Sequence, residues 1–195
     1  MSNKFFKTYD PRLDTLDNFV LPSEWWSRPY EYHFAAQFLN DDDVILDAGC
    51  GIKHPFKDYA AARVKKCIAI DNDKNIEIHR ILQKNLELKC MNMTELANNF
   101  NKDYFDKVFC ISVLEHIQNN NDRIEIFKNF KKVLKPYGKI IITIDYPLMD
   151  INDLIKVVDE SELKFEGKME YSLNGDVIKS NLYNLYCASA VIVKG

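Results

Sequence analysis

The sequence predicts an α/β domain in which a mostly parallel sheet is covered by helices on both faces. Three observations carry that expectation. Apolar, strand-length runs alternate with helical patterns five times along the chain. The runs, among them VILDA, CIAI, VFCI and IIITI, lack the polar alternation of a half-exposed strand, so both faces are expected to be buried. A glycine turn, DAGCG at residues 47–51, closes the first run, where such a sheet brings backbone close to a ligand.

The elements follow in order. Residues 1–28 read as irregular and aromatic, with Pro11 and Pro22 as punctuation, and Pro29 opens a helix over 29–40 from within its first turn. A buried strand over 43–49 is followed by a turn and a helix over 56–66. A second strand spans 67–73. The helix expected over 73–87 places Ile76, Ile78, Ile81, Leu82 and Leu86 mostly on one face. A short strand near 87–93 and a fourth strand over 104–114 come next. An amphipathic helix covers 121–134, a turn and fifth strand 136–147, and a last helix 150–163. Two β-rich stretches, 164–173 and 181–195, close the chain.

At 195 residues the chain fits one domain, able to bury a core without staples. An apolar share of 47% with 28% charged residues is that of a water-soluble globular protein. A net charge of −3 argues against a nucleic-acid partner, which needs a basic face. Lys131, Lys132 and Lys135 fall at helical spacing and read as a solvated face. Cysteines 50, 67, 90, 110 and 187 are odd in number and form no CxxC, so reduced thiols in a cytoplasmic protein are expected. No run reaches membrane-spanning length, and no metal site is expected.

The first turn narrows the cofactor. A nicotinamide fingerprint wants GxGxxG, and here Gly49 and Gly51 are followed by His54 at the third place. Asp71 ends the second strand, where a carboxylate accepts from both ribose hydroxyls of any adenosyl cofactor. The blocks LDAGCG, IAIDND, FDKVFCISVLEHI and LKPYGKIIITIDYP, in that order, resemble the class I methyltransferases that use S-adenosylmethionine. The resemblance runs from about residue 30 to the end of the chain. It implies a Rossmann-like, doubly wound, seven-stranded sheet of order 3-2-1-4-5-7-6 with strand 7 antiparallel, the closing stretches supplying strands 6 and 7.

It also implies a cofactor site. Asp47, Gly49, Cys50 and Gly51 would form the turn under the methionine part. Asp71, with Asn72 beside it, would take the ribose. Asn92 stands where the family usually has aspartate, its carbonyl accepting from the adenine amino group, and the Met93 N–H faces the ring. Ser112 would end the fourth strand near the methionine amino group. Lys53 stands where the family often has a third glycine and is read as a solvent-pointing lysine, the alternative being a cation near the cofactor carboxylate or an anionic substrate. Neighbouring His54 is read as helix-start polarity rather than a catalyst.

The acceptor side is less determined. His116 has the titration range of a base, or else holds the helix entry, and Glu115 pairs or caps. Asp145 binds or activates a substrate hydroxyl, and Tyr146 lines the pocket. Arg28 offers a planar fork for the cofactor carboxylate or a substrate phosphate, with Trp26 and Tyr30 beside it over the acceptor. Residues 1–28 are expected to act as a lid on the core of 29–195. These readings favour oxygen methylation of a small polar metabolite, such as a sugar- or nucleotide-linked surface-glycan precursor, by a monomer or homodimer without metal. The alternatives are an N-methyltransferase of a small amine or a non-catalytic adenosylmethionine-binding protein, with a nicotinamide oxidoreductase disfavoured.

Overall fold

The first five apolar runs pair side by side because each has too few polar side chains to face water. In a computed structural model, which describes residues 2–78 and 83–195, the N-terminal strand β1 (Ser2–Phe5) precedes a short hairpin, β2 (Thr15–Leu16) and β3 (Phe19–Val20). Then follow α1 (Arg28–Ala36), β4 (Val44–Ala48), α2 (Phe56–Ala61), β5 (Lys66–Asp71) and β6 (Leu86–Cys90). The one-turn α3 (Leu96–Asn99) leads to β7 (Phe105–Ile111), α4 (Asn120–Val133), β8 (Leu134–Tyr146) and α5 (Ile151–Glu160). The chain closes with β9 (Leu163–Phe165), β10 (Lys168–Glu170), β11 (Lys179–Ser180) and β12 (Leu185–Lys194).

The sheet runs β6-β5-β4-β7-β8-β12, parallel except for β12, which is the 3-2-1-4-5-7 part of the expected order. Alternate side chains go to opposite faces. Leu46, Ile68, Val108 and Ile142 meet Phe127, Phe130 and Val157 of α4 and α5, whereas Ile45, Cys67, Phe109 and Ile141 meet Tyr32, Phe34, Phe56 and Ala60 of α1 and α2. Cys50, Cys67, Cys110 and Cys187 are buried free thiols in these layers, as their apolar settings suggested. No helix among the described residues is long and apolar enough to cross a membrane.

The sixth place differs from expectation. It is shared: β9 pairs with β12 over Leu163–Phe165, β1 pairs at Ala188 and Ser189, and β11 pairs at Leu185 and Tyr186, with β10 parallel outside β1. The first residues, read as irregular, are therefore sheet. Asn3, 1% exposed, closes the join. Its amide donates to the carbonyls of Glu166 (2.9 Å) and Lys168 (3.2 Å), and its oxygen accepts from Val191 N–H (2.7 Å). Asn3→Ala leaves these groups unpaired, and a buried polar group without a partner costs about 1–3 kcal/mol. The expected result is a melting temperature lower by about 5 °C, read by calorimetry; an unchanged value would show that water replaces the amide.

The helix expected over 73–87 is also different where it is described. Asp73 Oδ1 accepts from the backbone and side-chain nitrogens of Asn75 (2.9 and 2.8 Å), and Ile76 N–H bonds back to Asp73 O. This turn starts a 3-10 stretch, Lys74–Ile78, that buries Ile76 and leaves Ile78 81% exposed. Ile81 and Leu82 lie outside the described residues.

Candidate active site

β4 ends at Ala48 and the chain turns through Gly49 (φ 77°) and Gly51 (φ 60°). Both glycines are required twice over. A Cβ on Gly49 would stand 2.6 Å from Val113, and one on Gly51 2.5 Å from the His54 ring, in backbone conformations that L side chains avoid. The turn is tied to the end of β5: Gly49 and Cys50 N–H groups donate to Ile70 O, and Gly51 N–H donates to Asp71 Oδ2 (2.8 Å).

The missing third glycine has a physical replacement. Lys57, fully buried in α2, donates to the carbonyls of Gly51 (2.8 Å), Ile52 (3.0 Å) and His54 (2.5 Å). One cation gathers three carbonyls that would otherwise lack partners. Sequence reasoning missed it because a lone lysine in a helix reads as surface; the unsatisfied turn was the available signal.

A cavity of about 370 Å³ lies over this turn at the C-terminal ends of the strands. Of the expected residues, Arg28, Asp47, Gly49, Cys50, Gly51 and Asp71 line it, as do Asn72, Asn92, Met93, Ser112 and His116. Tyr32, His54 and Phe56 join them without having been assigned there, together with apolar walls from Met91, Ile111, Val113 and Ile117. Asp145, Trp26, Tyr30 and Tyr146 do not line it. Asp145 sits at the end of β8 with its N–H on Glu115 Oε1 (3.2 Å). Trp26 is half-buried against the α1–α2 layer, and Tyr30 is buried there beside Phe6, ring centroids 6.3 Å apart. Tyr146 packs edge-on to Phe5 (5.5 Å), which the newly found β1 brings to that edge. The three aromatics expected over the acceptor therefore pack the scaffold.

The cavity has two chemically distinct ends. At the β5–β6 end, Asp71 Oδ1 and Oδ2 each accept one backbone N–H, from Asp73 and Gly51, and each oxygen keeps a lone pair. Asn92 corrects an expectation. Its carbonyl oxygen caps the 3-10 turn Met93–Glu95, accepting from Thr94 N–H and Thr94 Oγ1 (both 3.0 Å), so its amide nitrogen is the group left for a ligand.

At the α1–β7 end, Glu31 is fully buried and its Oε2 accepts from Arg28 Nη1 (2.7 Å), Ser112 Oγ (2.6 Å) and Thr143 Oγ1 (2.5 Å). Burial opposes its ionisation, but Arg28 and the hydroxyls of Ser112, Ser27 and Thr143 win, holding the carboxyl below its ordinary range. The same site gathers further acids. Burial, then the charge of Glu31, pushes Asp145 up to about 7; burial, then Asp145, pushes Glu115 up to about 8. Asp145 Oδ1 and Glu115 Oε2 lack hydrogen-bond partners.

Asp47, also buried, has an Oδ2 without a partner inside the cavity wall, and burial with the nearby Asp71 raises it to about 7 against the pull of Lys57. An orphaned acceptor beneath a glycine cradle, a carboxylate with free lone pairs at one end and a guanidinium at the other are the groups that an adenosyl cofactor carrying an amino-acid tail would need.

Comparisons with known proteins narrow this. Residues 46–142 match a family model described as a methyltransferase domain. Over 112 residues, 55% of the chain, it is 34% identical to phosphoethanolamine N-methyltransferase 1 of Zea mays; the matched part is 21% of that relative, so the chain spans about a fifth of its length. Among solved structures, a TehB-like methyltransferase of Corynebacterium glutamicum superposes with a TM-score of 0.67 at 15% identity, covering 85% of this chain and 87% of that one. Phosphoethanolamine N-methyltransferase 2 of Haemonchus contortus, solved with S-adenosylmethionine, gives 0.64 at 16%, covering 91% and 54%. Residues 46–142 carry a methyltransferase domain, and the fold is that of class I S-adenosylmethionine-dependent methyltransferases, which sets the nicotinamide alternative aside.

Proposed function

We propose that this methyltransferase acts on the nitrogen of a small polar amine. The observation that carries the reading is the carboxyl pair of Asp145 and Glu115, which lies outside the cavity lining, behind the Ser112–His116 wall at the ends of β8 and β7. Bound S-adenosylmethionine supplies a methyl group already activated as a sulfonium, so the protein has to present an acceptor lone pair and exclude water. An amine arrives as an ammonium, is attracted to carboxylates, and must lose a proton before its lone pair is free. Burial pushes the Asp145 carboxyl up to about 7, which suits it to take that proton once the ammonium reaches it past the Ser112–His116 wall. The curated relatives matched over 112 residues are named phosphoethanolamine N-methyltransferases, which supports the same choice.

By this reading Asp71 holds the ribose, Asn92 and Met93 border the adenine, and Arg28 meets the cofactor's carboxylate. Residues 1–28 serve as a cover. The β2–β3 hairpin is pinned just beyond the end of α2 by Asp17 and Arg63, and Trp25 lies on the cavity-lining His54 at 4.7 Å between ring centroids.

Oxygen methylation, as of a glycan precursor, remains the second reading because His116 lines the cavity and is exposed there as a candidate base. Two variants separate them. Asp145→Asn should lower kcat roughly 100-fold with adenosylhomocysteine affinity kept, and remove a limb of the rate profile that rises with pH through about 7. His116→Asn should keep kcat within a few-fold. The reverse pattern, with methyl-labelled cofactor found only on alcohol acceptors, would establish the oxygen reading instead.

A further inference from the structure

His54, which stands at the third place of the nicotinamide pattern GxGxxG, is built into the cavity rather than left at a helix start. His54 lies against Gly51, whose absent Cβ leaves room for the ring, and under the indole of Trp25. Its Nδ1 is 3.0 Å from the hydroxyl of Tyr32, itself buried and lining the cavity. The ring is thus held on one face by Trp25, at its Cδ2 edge by Gly51 and at one nitrogen by Tyr32. Nε2 has no hydrogen-bond partner among the described residues.

Which nitrogen carries the proton follows from the partner of the other. The Tyr32 phenol keeps its proton, since burial raises it above its ordinary range, and no other acceptor for it occurs among the described residues. Tyr32 therefore donates to Nδ1. Burial, then the charges of Arg28 and Lys57, lowers the imidazole to about 4 against the pull of Glu31 and Asp71, so the ring is neutral near pH 7. A neutral ring accepting at Nδ1 is a donor at Nε2.

The neighbours say what that donor is for. Asp71 and Asn92 mark the ribose and adenine end of the cavity, and Arg28 marks the other, close enough for its charge to act on His54. We infer that His54 is a specificity residue of this enzyme, donating through Nε2–H to the carboxylate of the cofactor's amino-acid tail alongside Arg28, with Tyr32 as the positioning residue that fixes its tautomer. The inference rests on the cofactor assignment and adds to it a residue just beyond the glycine turn. A packing role alone would support the turn and hence every adenosyl ligand equally. A carboxylate contact discriminates between ligands with and without the tail.

The test uses that difference. Calorimetry on the full chain compares adenosylhomocysteine with 5′-methylthioadenosine, which lacks the amino-acid tail. His54→Ala is expected to weaken adenosylhomocysteine about tenfold and to leave methylthioadenosine within about twofold. His54→Gln, which restores an N–H donor, should recover part of the loss, and Tyr32→Phe should lose a few-fold on adenosylhomocysteine only. In 15N spectra of the wild type, His54 should be protonated at Nε2, with that signal moving on addition of adenosylhomocysteine and not of methylthioadenosine. Equal losses for the two ligands, or a proton on Nδ1, would overturn the inference. Failure of the wild type to bind either ligand would instead overturn the cofactor site, and the inference with it.

Discussion

Asp71→Ala is expected to cut adenosylhomocysteine affinity by tenfold to more than a hundredfold while the sheet stays folded. The carboxylate stands at the open end of β5 with both oxygens partly free, and hydrogen bonds to a charged group contribute about 1.5–3 kcal/mol each. Two ribose hydroxyls lose their acceptor at once. The Gly51 N–H loses its partner too, so the turn loosens in the same substitution. Because Asp71 lies at the strand end and outside the apolar layers, the melting temperature should fall little. Calorimetric titration and thermal melts read the two effects separately. Unchanged affinity would remove this carboxylate from the ribose.

Glu31→Ala should have the largest effect on stability. The substitution strands the Arg28 guanidinium and takes the acceptor from Ser112 and Thr143, which tie α1 to the ends of β7 and β8. Breaking a buried pair by removing one partner costs about 3–5 kcal/mol, a drop of roughly 10 °C in a domain of this size. Glu31→Gln keeps an acceptor and should lose less. The difference should also depend on pH. A carboxyl held below its ordinary value when folded contributes stability that is present above its unfolded value, near 4.5, and fades as pH falls through the folded one. Wild type and Glu31→Gln should therefore converge in strong acid. A gap that persists there would mean that shape, not charge, is what Glu31 supplies.

The parts of the fold legible in the sequence were those set by local chemistry. Runs such as VILDA and IIITI have no polar face to offer water, so their burial and the helices between them followed directly. The glycine turn and Asp71 were legible for the same reason, since their conformational and charge requirements are written in single residues. What could not be read was long-range. The place of β1 depends on Asn3 meeting Glu166 and Val191, partners separated by more than a hundred and sixty residues, and the four-residue SNKF carries no strand signature of its own. Likewise, Tyr30 and Tyr32 look interchangeable in RPYEY. Helix geometry sends Tyr30 toward Phe6 in the core, while Tyr32 reaches the cavity and His54. The burial of Lys57 and Glu31 carries no signal in the sequence, because burial of a charge is decided by partners that only the fold assembles.

A crystal structure of the full chain with adenosylhomocysteine tests the central claim most directly. The account predicts one ligand across the turn of β4, its ribose hydroxyls on Asp71, its adenine beside Asn92 and Met93, and its carboxylate at Arg28. A ligand reversed in the cavity, with its amino-acid tail at Asn92 and its adenine against Arg28, or one bound away from Gly49 and Gly51, would contradict it.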